Sequence, residues 1–352
     1  MPSSRDEITG PLTEVSQAAW QVLSANVPND LRWHVLLLTL VIASFIWFIR
    51  DGHGAKNAAG REAKAGYLAF LLPRAIYTHE SARVDVGLWV LERCLRPFWV
   101  VGLLATVGPF AERQIIYLLQ TVFGDGPGLE VNYAWMLAYS LVILLCYDFV
   151  FYVIHITMHK VPFLWAIHKV HHSAEVLTPL TRYREHVLAG PIWAAGAGLS
   201  YGTAGAVFAY LMASDMVQAT LFNVGFFALL FGFNGSFRHY HVQFRYPRWL
   251  EFWLQSPAMH HTHHSYLHKH WDTNLAAVTS IFDRLFGTLY IPGKDEYTPW
   301  GIGPDTQNQY RSLWQNTIGP FRDWYYLAKD GVSPQSGAVV DQSSIDGSAD
   351  LS

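Results

Sequence analysis

The stretch that most restricts this chain is YAWMLAYSLVILLCYDFVFYVI, residues 133–154. A bilayer core takes roughly 20 mostly apolar residues in helical form. This run has that length and contains one charged side chain, Asp148. The segment HITMH follows at once and puts His155 and His159 at i, i+4. An apolar span that ends on a histidine pair ties any chemistry here to the edge of a membrane.

Other apolar runs fit the same picture. LLLTLVIASFIWFI (36–49), extended back to Leu31, reads as a first span, and FWVVGLLATVGPF (98–110) with IIYLLQTVF beyond it reads as a second. Glu112 and Arg113 make the second the most polar. The run at 133–154 is the third, 187–213 the fourth and 216–233 the fifth, the last two separated only by Ser214 and Asp215. Arg50, Lys56, Arg61, Lys64, Arg74, Arg83, Arg93 and Arg96 lie between spans one and two, whereas GDGPGLEVN, between two and three, has no Lys or Arg. By the positive-inside rule the first loop is cytoplasmic. Counting onward, every histidine-rich segment also falls on the cytoplasmic side.

Composition agrees. The chain is 51% hydrophobic and 14% charged, against about a quarter charged in soluble domains. Fourteen Trp, 18 Tyr and 21 Phe suit membrane interfaces. The net charge of -3 argues against a nucleic-acid surface. Cys94 and Cys146 make no ligand pattern and read as reduced, structural thiols. The N-terminal segment shows no signal-peptide pattern, and the small polar tail 333–352 reads as disordered.

Histidine is the strongest signal. Of 17 histidines, six lie in residues 155–186 and eight in 239–270. HKVHH gives His168, His171 and His172, and HHTHH repeats the set as His260, His263 and His264. Residues three and four apart share a helix face, so each motif is expected to be a patch of imidazoles pointing one way. His261 lies off that face. A solvated face would be written in Lys, Glu and Asp, and a pH sensor needs only one or a few histidines. Eight imidazoles exceed the four of a closed zinc site and suggest two ions of higher coordination; imidazole suits iron, zinc, copper or nickel. No HExxH is present, which disfavours a zinc peptidase. The ExxH signature of carboxylate-bridged di-iron bundles is absent too.

HITMH, HKVHH and HHTHH, in that order and with a long apolar gap before the last, resemble the fatty acid hydroxylase / sterol desaturase superfamily. The phrases YDFVFYVIHITMH, LWAIHKVHHSAEVLTPLTRYREH, FRHYH and SPAMHHTHHSYLHKHWDTNLAAVTSIFDRLFGTLY support the likeness, which covers about residues 140–292. It implies an all-α integral membrane helix bundle with a cytoplasmic helical cap carrying the histidine motifs. The divisions expected are a polar segment (1–30), N-terminal spans with a basic loop (31–130), the di-iron domain (131–300), a C-terminal helical segment (301–332) and the tail.

The resemblance also implies further ligands: His186 from REH, and either His239 or His241 from FRHYH, with His241 preferred. Their i, i+2 spacing does not let both point one way on a helix. Asp148, seven residues before His155, would orient a ligand imidazole through its second N–H; Asp272 and Asn274 in WDTN are candidates for the same role. His268 and His270 read as surface residues. Many members carry arginine directly after the first histidine of HxxxH, where this chain has Ile156.

The activity implied is O₂-dependent hydroxylation of a lipid C–H bond at two iron ions, with desaturation as the variant outcome. The sequence has no haem CxxCH, iron–sulfur cysteine set or GxGxxG fingerprint, so electrons are expected from a separate ferredoxin or cytochrome b5-like donor. A membrane haem carrier would need single histidines in different spans, and a zinc transporter would need ligands inside them. Neither arrangement matches clustered motifs beyond the span ends.

Overall fold

In this computed structural model the described residues are 33–49, 66–212, 237–294, 296 and 298–330. Span five, the N-terminal segment, much of the basic loop and the tail lie outside them. The described residues form helices joined by loops, without a strand; the pairs Leu254–Thr279 and Ser265–Trp300 make isolated bridges only. Cys94 and Cys146 are free thiols.

The helices that frame the molecule are α1 (Trp33–Ile49), α2 (Glu80–Leu95), α3 (Pro97–Phe123), α4 (Tyr133–Lys160), α5 (Pro162–His172), α6 (Ala189–Met212), α7 (Pro257–His263), α8 (Ile281–Phe286) and α9 (Leu313–Asp330). The two apolar runs at 98–110 and beyond AERQ form one helix, α3, with Pro109 inside it. Among the described helices only α4 is both long and apolar enough to cross a membrane.

Asn132 caps α4 by accepting the N–H of Trp135 at 3.1 Å. Pro162 ends it: a residue before proline avoids the helical region, and Val161 is extended. Proline is well suited to a first helical position, so α5 starts at once in a new direction. This corner brings HITMH and HKVHH together.

α6 packs on α3 and α4 through small residues. A Cβ on Gly202 would collide with the carbonyl of Gly108, and one on Gly198 would lie 3.2 Å from Val107 Cβ. Such residues let helix backbones approach closely. Trp193 of α6 stacks on Phe151 of α4 with centroids 4.6 Å apart.

α2, α5 and α9 make the layer around the histidines. Asp85 on α2 is fully buried and binds Arg184 at 2.9 Å, Thr181 Oγ1 at 2.6 Å and Thr178 Oγ1 at 3.2 Å. Arg184 is equally buried and also donates to the carbonyls of Val170, Ser173 and Ser81. The loop 173–188 is thereby tied to α5 and α2. On the other side Lys169 pairs with Asp323 of α9 at 2.5 Å, and Trp324 stacks on Phe163 at 4.0 Å.

Removing one member of a buried ion pair leaves an uncompensated charge and costs about 3–5 kcal/mol. Asp85→Ala should therefore lower stability by about that amount, read from denaturation of the purified protein in detergent, because Arg184 has no water to turn to.

Candidate metal centre

Nine histidines converge into two groups. His155, His159, His168, His172 and His263 form one, and His171, His239, His260 and His264 the other; within each group one ring nitrogen per residue lies within 4.8 Å of the rest. The split follows from helix geometry. Each residue turns about 100°, so positions i and i+4 lie close in angle while i+3 falls to the other side. His168 and His172 thus serve one group and His171 the other. In HHTHH, His260 and His264 pair, and His263 crosses over. The expectation of one shared direction per motif is corrected accordingly: each HxxHH feeds both groups.

His239 enters the second group, whereas His241 turns away, its Nε2 bonded to the carbonyl of Phe70 at 2.8 Å. His186 joins neither group; its Nε2 bonds the carbonyl of Thr317 at 3.0 Å and its Nδ1 accepts the N–H of Leu188. His261 is buried outside both groups, its ring edge-on to Trp300. His268 is exposed, and His270 is buried against Glu296 at 3.0 Å.

Acceptors behind the rings set their tautomers. Nδ1 of His155 faces the carbonyl of Leu275 at 2.6 Å, that of His263 the carbonyl of Thr273 at 2.8 Å, that of His171 the carbonyl of Arg184 at 3.3 Å, and that of His159 the carboxylate of Asp272 at 3.2 Å. A carbonyl or carboxylate only accepts, so these four rings carry their proton on Nδ1 and turn a bare Nε2 inward. His260 has the opposite arrangement. Arg238 donates to its Nδ1 at 2.7 Å, which leaves the proton on Nε2; ligation through Nε2 by the neutral ring would require the proton to move to Nδ1 and this bond to be given up.

The loop Trp271–Thr279 supplies most of these acceptors. Asp272 and Asn274 have φ of 55° and 54°, a region that Asn and Asp tolerate best among residues with a Cβ. These two turns aim Asp272 at His159 and the Thr273 carbonyl at His263. Asn274 donates to the carbonyls of Met259 and Tyr290 and accepts the N–H of Tyr290, so it positions α7 rather than an imidazole. Asp148 also differs from the role expected of it. Its oxygens accept the N–H groups of Ala277, Val278 and Thr279 at 2.7, 2.9 and 2.8 Å and the Thr279 hydroxyl. It acts on His155 only through the loop that carries the Leu275 carbonyl.

The residues fit a cation. Nε2–Nε2 separations are 3.0 Å for His155–His168, 3.2 Å for His168–His172, 2.8 Å for His239–His260 and 3.1 Å for His260–His264. Metal–imidazole bonds of about 2.0–2.1 Å at right angles put donors about 3 Å apart. Nε2 of His159 and of His263 are buried without a hydrogen-bond partner, a cost that a bound ion removes. Burial, reinforced by neighbouring imidazoles, holds His168, His172 and His264 well below the ordinary imidazole range, and burial brings His171 to about 3. These rings stay neutral and ready to ligate.

Several contributing residues were not singled out from the sequence. Glu185, between Arg184 and His186, approaches His171 and His168; burial pushes its carboxyl up to about 8. Arg238 precedes His239 and also binds the carbonyls of Ala277 and Ala276. Asp283 accepts the N–H groups of Leu275 and Ala276. Charged residues inside histidine-rich or apolar phrases were the available signal. A cavity of about 130 Å³ reaches the five-histidine group, lined by His159, His172 and His263 with Trp165, Tyr266 and Trp271.

Residues 140–288 match the fatty acid hydroxylase family, and this stretch is a fatty acid hydroxylase domain of the fatty acid hydroxylase / sterol desaturase superfamily. All nine clustered histidines lie within it. No solved structure matches the chain.

Two outcomes test this geometry. Unfolded histidines take up protons near pH 6.5, while the buried rings do not. The metal-free protein should keep its full stability above about pH 6.5 and lose it as pH falls toward the lower folded values, such as about 3 for His171; denaturant titrations from pH 7.5 to 5 measure this. Asp272→Asn should weaken metal retention by about 10–100-fold, read by chelator competition.

Proposed function

We propose that this protein is a membrane oxidoreductase that uses O₂ to hydroxylate an unactivated C–H bond of a lipid, with two iron ions held by the two histidine groups. The observation that carries the reading is the adjacency of the five- and four-histidine groups at one end of the apolar helix α4, within the fatty acid hydroxylase domain. The proposed ligands are His155, His159, His168, His172 and His263 for one ion and His171, His239, His260 and His264 for the other. When bound, iron supplies the reduction of O₂ and the abstraction of hydrogen that no side chain can perform.

The protein's own share is binding, orientation and exclusion of water. Main-chain carbonyls and Asp272 hold the rings with Nε2 inward, and burial keeps them neutral. Leu137, Leu141, Leu145, Phe149 and Val153 make an exposed apolar stripe along α4, suited to lipid contact. α1, α3 and α6 are proposed to cross the bilayer beside it, with the histidines on the cytoplasmic side by the distribution of basic residues. A lipid acyl chain is the favoured substrate.

The balance for hydroxylation is one C–H bond and O₂ converted to C–OH and water, with two electrons and two protons taken up. The electrons are proposed to come from a separate ferredoxin or cytochrome b5-like donor. Removal of a second hydrogen instead of oxygen insertion would make a desaturase at the same site.

Lipids from cells expressing the wild type, His171→Ala or no protein, grown under ¹⁸O₂, separate these outcomes by mass spectrometry. A labelled lipid heavier by one oxygen, found with the wild type only, is expected. One lighter by two hydrogens would assign desaturation. An unchanged lipid profile with folded, iron-loaded wild type would refute the oxidation of lipid.

A further inference from the structure

Glu185 sits behind both histidine groups at once. Its Oε1 lies 3.7 Å from Nδ1 of His171, and its Oε2 lies 4.0 Å from Nδ1 of His168. His171 belongs to the four-histidine group and His168 to the five-histidine group. Oε2 of Glu185 and Nδ1 of His168 are both buried without a hydrogen-bond partner. The backbone fixes this position: Arg184, one residue earlier, is clamped by Asp85, and the N–H of Glu185 is held by the carbonyl of Tyr183 at 2.8 Å.

Between two neutral rings burial favours the protonated form of Glu185, and the Trp193 side chain is a hydrogen-bond partner it already has. A cation on Nε2 of each ring changes that, because it makes each Nδ1–H a stronger donor, and charge-assisted bonds of this kind close to about 2.7–2.9 Å. A shift of about 1 Å by the side chain would form both.

We propose that Glu185 couples the two groups: one carboxylate oxygen accepts the Nδ1–H of His168 and the other that of His171, so a single residue orients a ligand at each metal site. Glu185 touches no reacting atom and is a positioning residue. His171 shares its N–H with the Arg184 carbonyl at 3.3 Å, while Nδ1 of His168 makes no hydrogen bond and has the Glu185 oxygen 4.0 Å away. The inference rests on the reading that both groups hold iron, and it does not depend on what the iron oxidises.

The test uses the full chain purified in detergent, loaded anaerobically with ⁵⁷Fe(II), as wild type, Glu185→Gln and Glu185→Asp. Glutamine keeps one acceptor oxygen and turns an N–H toward the other ring. Glu185→Gln should therefore weaken iron retention at both sites by about 10–100-fold against a competing chelator, and shift both ferrous Mössbauer doublets, with the metal-free melting temperature unchanged. Glu185→Asp, which keeps the charge, should recover part of the retention. A change at one site only, retention within twofold of wild type, or a loss that merely follows a lower metal-free melting temperature would each overturn the coupling. A wild type that binds two irons but oxidises no lipid would sink the proposed activity and leave this inference standing. Uptake of fewer than two irons would sink the inference itself.

Discussion

One ring in each group of the candidate metal centre depends on how the five residues Leu275–Thr279 are gripped. Their N–H groups all point at two buried carboxylates: Asp283 takes Leu275 and Ala276, and Asp148 takes Ala277, Val278 and Thr279. Three of their carbonyls serve the histidines, that of Leu275 through His155 and those of Ala276 and Ala277 through Arg238. Arg238 in turn reaches His260. A peptide segment polarised in this manner transmits position from the long helix α4 to a ring in each histidine group. Hydrogen bonds to ionised acceptors are roughly twice as strong as neutral ones, which explains why carboxylates hold a loop that water cannot reach.

The same economy governs the histidines. Nine imidazoles without water would be a large unsatisfied polar core. Here the outer nitrogens of four are spent on main-chain carbonyls or Asp272, and the inner nitrogens face one another at separations that suit a shared cation. The surrounding helices supply what the rings lack: α2 and α9 bring Asp85 and Asp323 to neutralise Arg184 and Lys169, so the shell around the site is closed by ion pairs as well as by packing.

Much of this was legible in the sequence, and the illegible part has a common cause. Spacing within a motif is a local property, so HITMH, HKVHH and HHTHH announced ring positions on helices. The helical character of residues 133–160 followed from unbroken hydrophobicity. The division of each motif between two groups was implicit in the angular step of the helix but needed the partner surfaces to become visible. His239 and His241 differ by which neighbour the chain meets, Nε2 of one facing His171 and of the other facing Phe70; no local rule separates them. Asp148 was noticed for its charge at depth, yet its partners lie about 130 residues away. Glu185 was hidden beside the more conspicuous His186.

The crossing of each HxxHH between the two groups has a mechanical consequence. His171 and His172 are adjacent in sequence, yet they stand in different groups; so do His263 and His264. The distance from one group to the other is therefore tied to the step between consecutive residues, once inside the last turn of α5 and once where α7 ends on His263 and His264 caps it. Thermal breathing that separates α5 from α7 would open both groups together while leaving this spacing untouched. The pair of sites behaves as one rigid gauge whose length is written into consecutive residues.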